Sequence, residues 1–180
     1  MPRIGPLSKE EQDDQTRELL AAYVTADFVP NVLATMVRHP GLYRRWLPFL
    51  GKLLAGKLPA RDRELVTLRT CWNCKTEYEW GQHARTAFDA GIGTADLARI
   101  IAGPDAPGWD DHDVTLLRAA DELHVNSTIS DETWSALAAE YDDQQLIEVC
   151  MVIGQYHLTA FALNSLDVDL DEGLQGFPND

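Results

Sequence analysis

Apolar residues recur at three- and four-residue steps along most of this chain, while alternating patterns and hairpin dipeptides are nearly absent. That period predicts amphipathic helices. Leu42, Trp46, Phe49, Leu50 and Leu53 mark one face across residues 42–55, despite Pro48 inside the run. Ser8-Lys9-Glu10-Glu11 reads as a capping box opening a helix that continues to about Asp27. Further helices are expected over 32–38, stopped by Pro40, over 62–72 behind Pro59, from Thr76 to Gly91, and from Thr94 to near Gly103. Residues 104–113 read as a loop. Helices over 114–125, 131–141 and 144–166 follow, the last opened by a second box, Asp142-Asp143-Gln144-Gln145. The expectation is an all-α single domain over 1–180 with about eight helices, an N-terminal helical extension over 1–30 and an irregular acidic tail over 167–180.

Three of these helices carry polar groups on faces that otherwise read as core. In 62–72, Glu64 falls inside the arc of Leu65, Leu68, Cys71 and Trp72. A carboxylate there must be protonated, paired or hydrogen-bonded, so it is either half of an ion pair with a neighbouring Arg or a working group. In the helix from Thr76, Glu79 and His83 are four residues apart and share a face, beside the Trp80, Ala84, Phe88 arc. Glu79 has a competing assignment, because Thr76-Glu77-Tyr78-Glu79 is itself a capping box. His83 is either a hydrogen-bonded core histidine or, with Glu79, equipment for moving a proton near neutral pH. Residues 144–166 are apolar almost all round, as expected of a helix in the core or at a subunit contact. Tyr156, His157 and Asn164 interrupt it, and His157 is read as a tie between helices.

Composition narrows the classes. The formal net charge is −14 and 45% of residues are hydrophobic. A disordered chain is excluded. The negative balance argues against nucleic acid and against docking on an anionic membrane surface. No apolar stretch is expected to reach the length of a membrane span, and residues 1–12 have no apolar signal core. The three cysteines, Cys71, Cys74 and Cys150, are a poor disulfide framework, and a reduced cytoplasmic setting is expected. One Cys-x-x-Cys pair without a second pair gives no zinc motif, so no metal is assigned.

Arg63-Glu64-Leu65-Val66, Leu68-Arg69, Tyr78-Glu79-Trp80-Gly81-Gln82-His83 and Ala90-Gly91 together resemble the carboxymuconolactone decarboxylase family, within the alkylhydroperoxidase D-like superfamily. Leu117 to Leu123, Asp131 to Trp134, Leu146-Ile147-Glu148 and Gly154-Gln155-Tyr156 extend the similarity to roughly 31–168. The resemblance implies a helical subunit assembling as a homotrimer or hexamer, without metal or organic cofactor. It also implies removal of a carboxylate from a muconolactone acid in aromatic catabolism. The peroxidase branch of the superfamily uses a Glu, a Cys twelve residues on, a second Cys three later and a His four after that. Counted from Glu64, those places are Thr76, Glu79 and His83, so both redox cysteines are out of register.

The favoured expectation is therefore decarboxylation or proton transfer on a small lactone or carbonyl compound. His83 is the proton donor or relay, Glu79 its orienting partner and Glu64 the third member. Tyr78 or Tyr156 would donate a hydrogen bond to a developing enolate oxygen, with Trp80 beside the substrate and either Arg69 or Arg85 clamping a carboxylate. The first alternative is thiol-dependent hydroperoxide reduction by Cys71 and Cys74, since Cys74 lies just ahead of the Thr76 helix and helix N-termini activate thiols. The second is a non-enzymatic oligomer that binds a small ligand, which expects Glu64, Glu79 and His83 in a closed network.

Overall fold

A computed structural model describes residues 1–24 and 28–178. The described residues form nine α-helices and one 3₁₀ turn: α1 (Asp14–Leu20), the turn Ala21–Tyr23, α2 (Asn31–Met36), α3 (Pro40–Leu54), α4 (Ala60–Asn73), α5 (Glu77–Ala87), α6 (Thr94–Ala102), α7 (Asp111–Asn126), α8 (Asp131–Glu140) and α9 (Asp143–Leu166). The all-α expectation holds.

α4 is the central strut. Leu65, Val66, Leu68 and Cys71 on it are fully buried, and it packs against α5, α7 and α9. This core also takes Leu116, Leu117, Ala119 and Ala120 from α7 and Val149, Val152 and Ile153 from α9. A smaller cluster of Leu20, Leu33, Val37, Tyr43 and Trp46 joins α1, α2 and α3, with Leu50 packed against both clusters. Polar ties cross-brace the bundle. Tyr141 donates to Asp62 at 2.6 Å while His112 Nε2 lies 3.2 Å from the same carboxylate, linking α4, α7 and the end of α8.

Several local expectations change. The Ser8 box forms only its return bond, Ser8 N–H to Glu11 at 2.9 Å, within a turn. The first helix instead starts behind Asp13, whose side chain accepts from Thr16 N–H. The end of that expected run, 25–27, lies outside the described residues, as do 179 and 180 of the tail. Pro48 stays inside α3, but Leu42 and Phe49 face outward and the buried face is Tyr43, Trp46 and Leu53. The 104–113 loop ends early because Asp110 caps α7 through Asp113 N–H. The Asp142–Gln145 box forms in both directions, at 2.9 and 3.1 Å.

α9 departs most. It is not buried all round: Ile147, Met151, Leu158 and Phe161 form an exposed apolar stripe at steps of four, seven and three residues. Against expectation it is also long and apolar enough to cross a membrane, with a mean hydropathy of 1.5 over its most apolar window, half of which is buried in the bundle. The buried side carries polar residues in mutual contact, Gln155 donating to Thr159 at 2.9 Å, as suits a core helix.

The described part of the tail, 167–178, has no helix or strand but is firmly packed. Asp171 is buried and accepts from Asn31 N–H at 2.8 Å, from Tyr78 O–H at 2.7 Å and from Gln82 Nε2 at 2.7 Å. Phe177 packs against Trp72 and Trp80, with ring centroids 4.9 and 5.4 Å away. Gly81 makes this possible: a Cβ there would collide with the Gln175 carbonyl.

Candidate acid–base site

α4 and α5 pack antiparallel around a short turn, and that turn decides what Glu79 does. Thr76 N–H donates to the Cys71 carbonyl at 3.0 Å, and the Thr76 side chain makes no cap bond. The capping-box assignment of Glu79 therefore fails, because the N–H it would have served is already bonded. Glu79 is free to face α4 from the first turn of α5, where it is buried.

The three nominated groups converge. His83 Nδ1 lies 2.6 Å from Glu64 Oε2, and Nε2 lies 3.8 Å from Glu79 Oε2. His83 keeps 12% of its side-chain surface exposed, which leaves it reachable without turning it into bulk solvent. The edge of the Tyr156 ring meets the His83 ring at 4.8 Å and 88°. The short bond to Glu64 assigns the Nδ1 proton to that contact and leaves Nε2 facing Glu79.

The two carboxyls are driven apart. Burial works to raise Glu64, but the hydrogen bond and charge of His83, with Arg63 beside it, outweigh burial and hold it below the ordinary glutamate value. Glu79 is pushed up, chiefly by burial and further by the Asp171 charge, against the opposing pull of His83. Two neighbouring carboxyls with opposite shifts are the usual arrangement for one acid and one charged partner. Burial, and then the charges of Glu79, Cys71 and Glu64, raise Tyr156 well above an ordinary tyrosine and keep its phenol neutral.

Other nominations are placed elsewhere. Tyr78 is fully engaged with Asp171, Val32 N–H and Gln82, so its hydroxyl is a tie to the tail rather than a donor at His83. Arg69 makes a two-pronged pair with Asp121, at 2.6 and 2.9 Å, and donates to the carbonyls of Ile100 and Ile101, so it is not a free carboxylate clamp. Trp80 lines a cleft of about 630 Å³ with Ala84, Arg85, Phe88, Leu97 and Leu174, on the α5 face next to the one that carries His83. The expected pairing of Glu64 with a neighbouring arginine is present and falls to Arg63, which sequence reading had not placed in the site. Its Nε is buried without a hydrogen-bond partner and sits 3.6 Å from Glu64 Oε1, a contact that adjacent residues on a helix rarely make.

The thiols are poorly placed for attack. Cys71 is completely buried and its thiol is raised well above normal by burial and by the nearby Glu79 charge. Cys74 is raised to about 11 by burial. It sits at the C-terminal cap of α4, the negative end of that helix, and not on the N-terminus of α5. Its Sγ lies 3.8 Å from His124 Nδ1, which lies 3.0 Å from His157 Nε2. His157 thus does tie α9 to α7, in a group that no sequence spacing announced.

Residues 40–122 match the family described as the carboxymuconolactone decarboxylase family. No curated protein matches the chain by sequence. Among solved structures, an uncharacterized peroxidase-related protein with an alkylhydroperoxidase AhpD core, from Ralstonia eutropha JMP134, superposes with a TM-score of 0.79 at 17% identity, over 94% of this chain and 93% of that one. A peroxidase-related protein from Silicibacter sp. TM1040 gives 0.77 at 14% identity, over 92% and 89%. The debrominase Bmp8, solved with 2,3,4-tribromopyrrole, gives 0.70 at 14% identity, over 93% and 91%. At these identities the likeness is one of fold.

Proposed function

We propose, from the match of residues 40–122 to the carboxymuconolactone decarboxylase family and from a fold like that of an alkylhydroperoxidase AhpD core, that the chain performs acid–base chemistry on a small lactone or carbonyl compound, decarboxylation in the first instance. The observation that carries this reading is one imidazole held between two carboxyls of opposite proton affinity. In the proposed step the bond between the substrate's carboxylate carbon and its α-carbon breaks. CO₂ leaves, and the electron pair passes into the adjacent carbonyl as an enolate. His83 Nε2 passes a proton to the α-carbon, Glu79, whose proton affinity burial raises, resupplies the ring, and Glu64 stabilises the imidazolium. The neutral Tyr156 phenol hydrogen-bonds the enolate oxygen. Arg63 takes the place expected of Arg69 and meets the substrate carboxylate. With a net charge of −14 on the chain, a substrate of low negative charge suits this single cation best.

A second reading, hydroperoxide reduction by Cys71 and Cys74, is supported by the peroxidase-related proteins that share the fold. The raised thiols weigh against it, because the thiolate is the attacking species. A panel of lactone acids, carbonyl compounds and organic hydroperoxides tests both. On a substrate that the unaltered protein turns over, His83→Ala and Glu79→Gln should each lower kcat by about 10²–10⁴-fold. Full activity in both variants refutes the acid–base assignment. Hydroperoxide turnover lost on replacing Cys71 and Cys74 by Ser would establish the second reading instead.

A further inference from the structure

Outside the acid–base site, one cluster of side chains has the chemistry of a metal centre. Cys74 Sγ, His124 Nδ1 and His157 Nε2 all lie within 4.8 Å of one another. They come from the C-terminal cap of α4, from α7 and from α9. We propose that these three atoms bind one divalent transition-metal ion of the Zn²⁺ class, with a fourth position open to solvent.

The distances support this. Zinc–nitrogen bonds of about 2.0–2.1 Å and a zinc–sulfur bond of about 2.3 Å, set at tetrahedral angles, require ligand atoms roughly 3.3–3.6 Å apart. The nitrogens here are 3.0 Å apart, and the sulfur is 3.8 Å from His124 Nδ1. The third pair, Cys74 Sγ and His157 Nε2, lies within 4.8 Å, so side-chain rotations that draw the sulfur inward convert one arrangement into the other. Two ligands are already oriented from behind. His157 Nδ1 donates to the Ile153 carbonyl at 2.9 Å, which fixes the tautomer and leaves a bare lone pair on Nε2. The Cys74 carbonyl accepts from Asn164 Nδ2 at 2.8 Å, and Lys75 next to it takes a left-handed backbone with φ of 53°, so the cysteine's position is fixed from both sides.

The donor set selects the metal class. One thiolate and two imidazoles suit a borderline-soft ion and do not suit Mg²⁺ or Ca²⁺, which take oxygen ligands. The neighbouring Asp121 carboxylate is occupied by Arg69 and Asn73, so the thiolate supplies the negative charge. His124 is exposed, which leaves one side of the ion to water. Along α9, His157 follows Tyr156 by one residue, roughly 100° around the helix. The metal therefore sits on a different face of α9 from the ring that touches His83.

The test uses the full-length chain without an affinity tag, titrated with Zn²⁺ by calorimetry and with Co²⁺ by absorption. One Zn²⁺ per chain is expected. Co²⁺ should give tetrahedral d–d bands together with a thiolate-to-metal charge-transfer band. Cys74→Ser, His157→Ala and His124→Ala should each weaken binding by more than about 100-fold, the upper end of what loss of an outer hydrogen-bond partner costs. His124 is the most exposed of the three, so its variant preserves the fold if the other two do not, as circular dichroism will report. His83→Ala should leave Zn²⁺ affinity unchanged, which separates this site from the acid–base site. The proposal is overturned if the unaltered chain takes up no Zn²⁺, if the Co²⁺ complex lacks the thiolate band, or if binding survives His124→Ala. In any of these cases His124 and His157 share an ordinary imidazole–imidazole hydrogen bond.

Discussion

Replacing Glu79 and Glu64 one at a time by glutamine, which keeps shape and removes charge, should shift stability in opposite directions. Glu64 accepts a 2.6 Å contact from His83 and lies near Arg63. Gln there replaces a charge-assisted hydrogen bond with a neutral one, and hydrogen bonds to charged groups contribute about 1.5–3 kcal/mol. A neutral bond retains about 0.5–1.5 kcal/mol of this, so Glu64→Gln should cost the difference, about 1–1.5 kcal/mol, at pH 7. Glu79 has no bond of hydrogen-bond length to a donor, its nearest partner being His83 at 3.8 Å, and it is buried. Glu79→Gln should therefore stabilise the fold, by the roughly 0.5–2 kcal/mol typical of relieving an ill-placed group at a working site.

The pH dependence separates this from ordinary packing effects. Glu64 is depressed in the folded chain, so its contribution is present above the ordinary glutamate value, about 4.3, and is lost as pH falls through the lower folded value. Glu79 is raised, so the unaltered protein is at full strength below about 4.3 and loses stability as pH rises through the higher folded value. Both variants should then converge on the parent at acid pH and diverge from it with opposite signs toward neutrality. Urea unfolding at a series of pH values, read by linear extrapolation, gives these differences directly. Two destabilised variants, or a Glu79→Gln gain that persists unchanged in acid, would refute the assignment of proton affinities.

Two further outcomes follow from packing. Gly81→Ala puts a Cβ against the Gln175 carbonyl and should lift the tail off α5; faster amide exchange over 171–178 than in the parent would show it, and unchanged protection would contradict it. We propose that the exposed apolar stripe of Phe161, Leu158, Met151 and Ile147 carries self-association: the parent should sediment as an oligomer and Phe161→Asp as a smaller species, and a monomeric parent or an unaltered mass would refute it.

The fold and the convergence of Glu64, Glu79 and His83 were legible because both rest on periodicity. Glu64 and His83 each interrupt an apolar arc, and a polar group on such a face has to meet another. Their pairing across nineteen positions follows from an antiparallel hairpin of two helices. What failed depended on partners distant in sequence. Arg69 and Tyr78 looked available until Asp121, 52 positions away, and Asp171, 93 positions away, were found to hold them. The tail carries no period at all, so nothing in its sequence distinguishes a packed strap from a loose end. The Cys74, His124 and His157 group spans gaps of 50 and 33 residues, and no ligand-spacing motif covers three separate helices.

The failed capping role of Glu79 shows how one backbone bond redirects chemistry. Had Thr76 N–H been left free, Glu79 would have turned back to cap it, and a carboxylate so bonded has its proton affinity lowered. Because the Cys71 carbonyl takes that N–H, Glu79 faces inward, where burial and the Asp171 charge raise it instead. Asp171 belongs to the tail, and its carboxylate is held by Asn31, Tyr78 and Gln82. The segment that looked least structured thus helps set the protonation of the group proposed as the acid. The same strap reaches the Trp80 cleft through Leu174 and Phe177. Loosening the tail would consequently alter Glu79 and the cleft together, whereas a change confined to the cleft would leave the raised proton affinity of Glu79 unchanged.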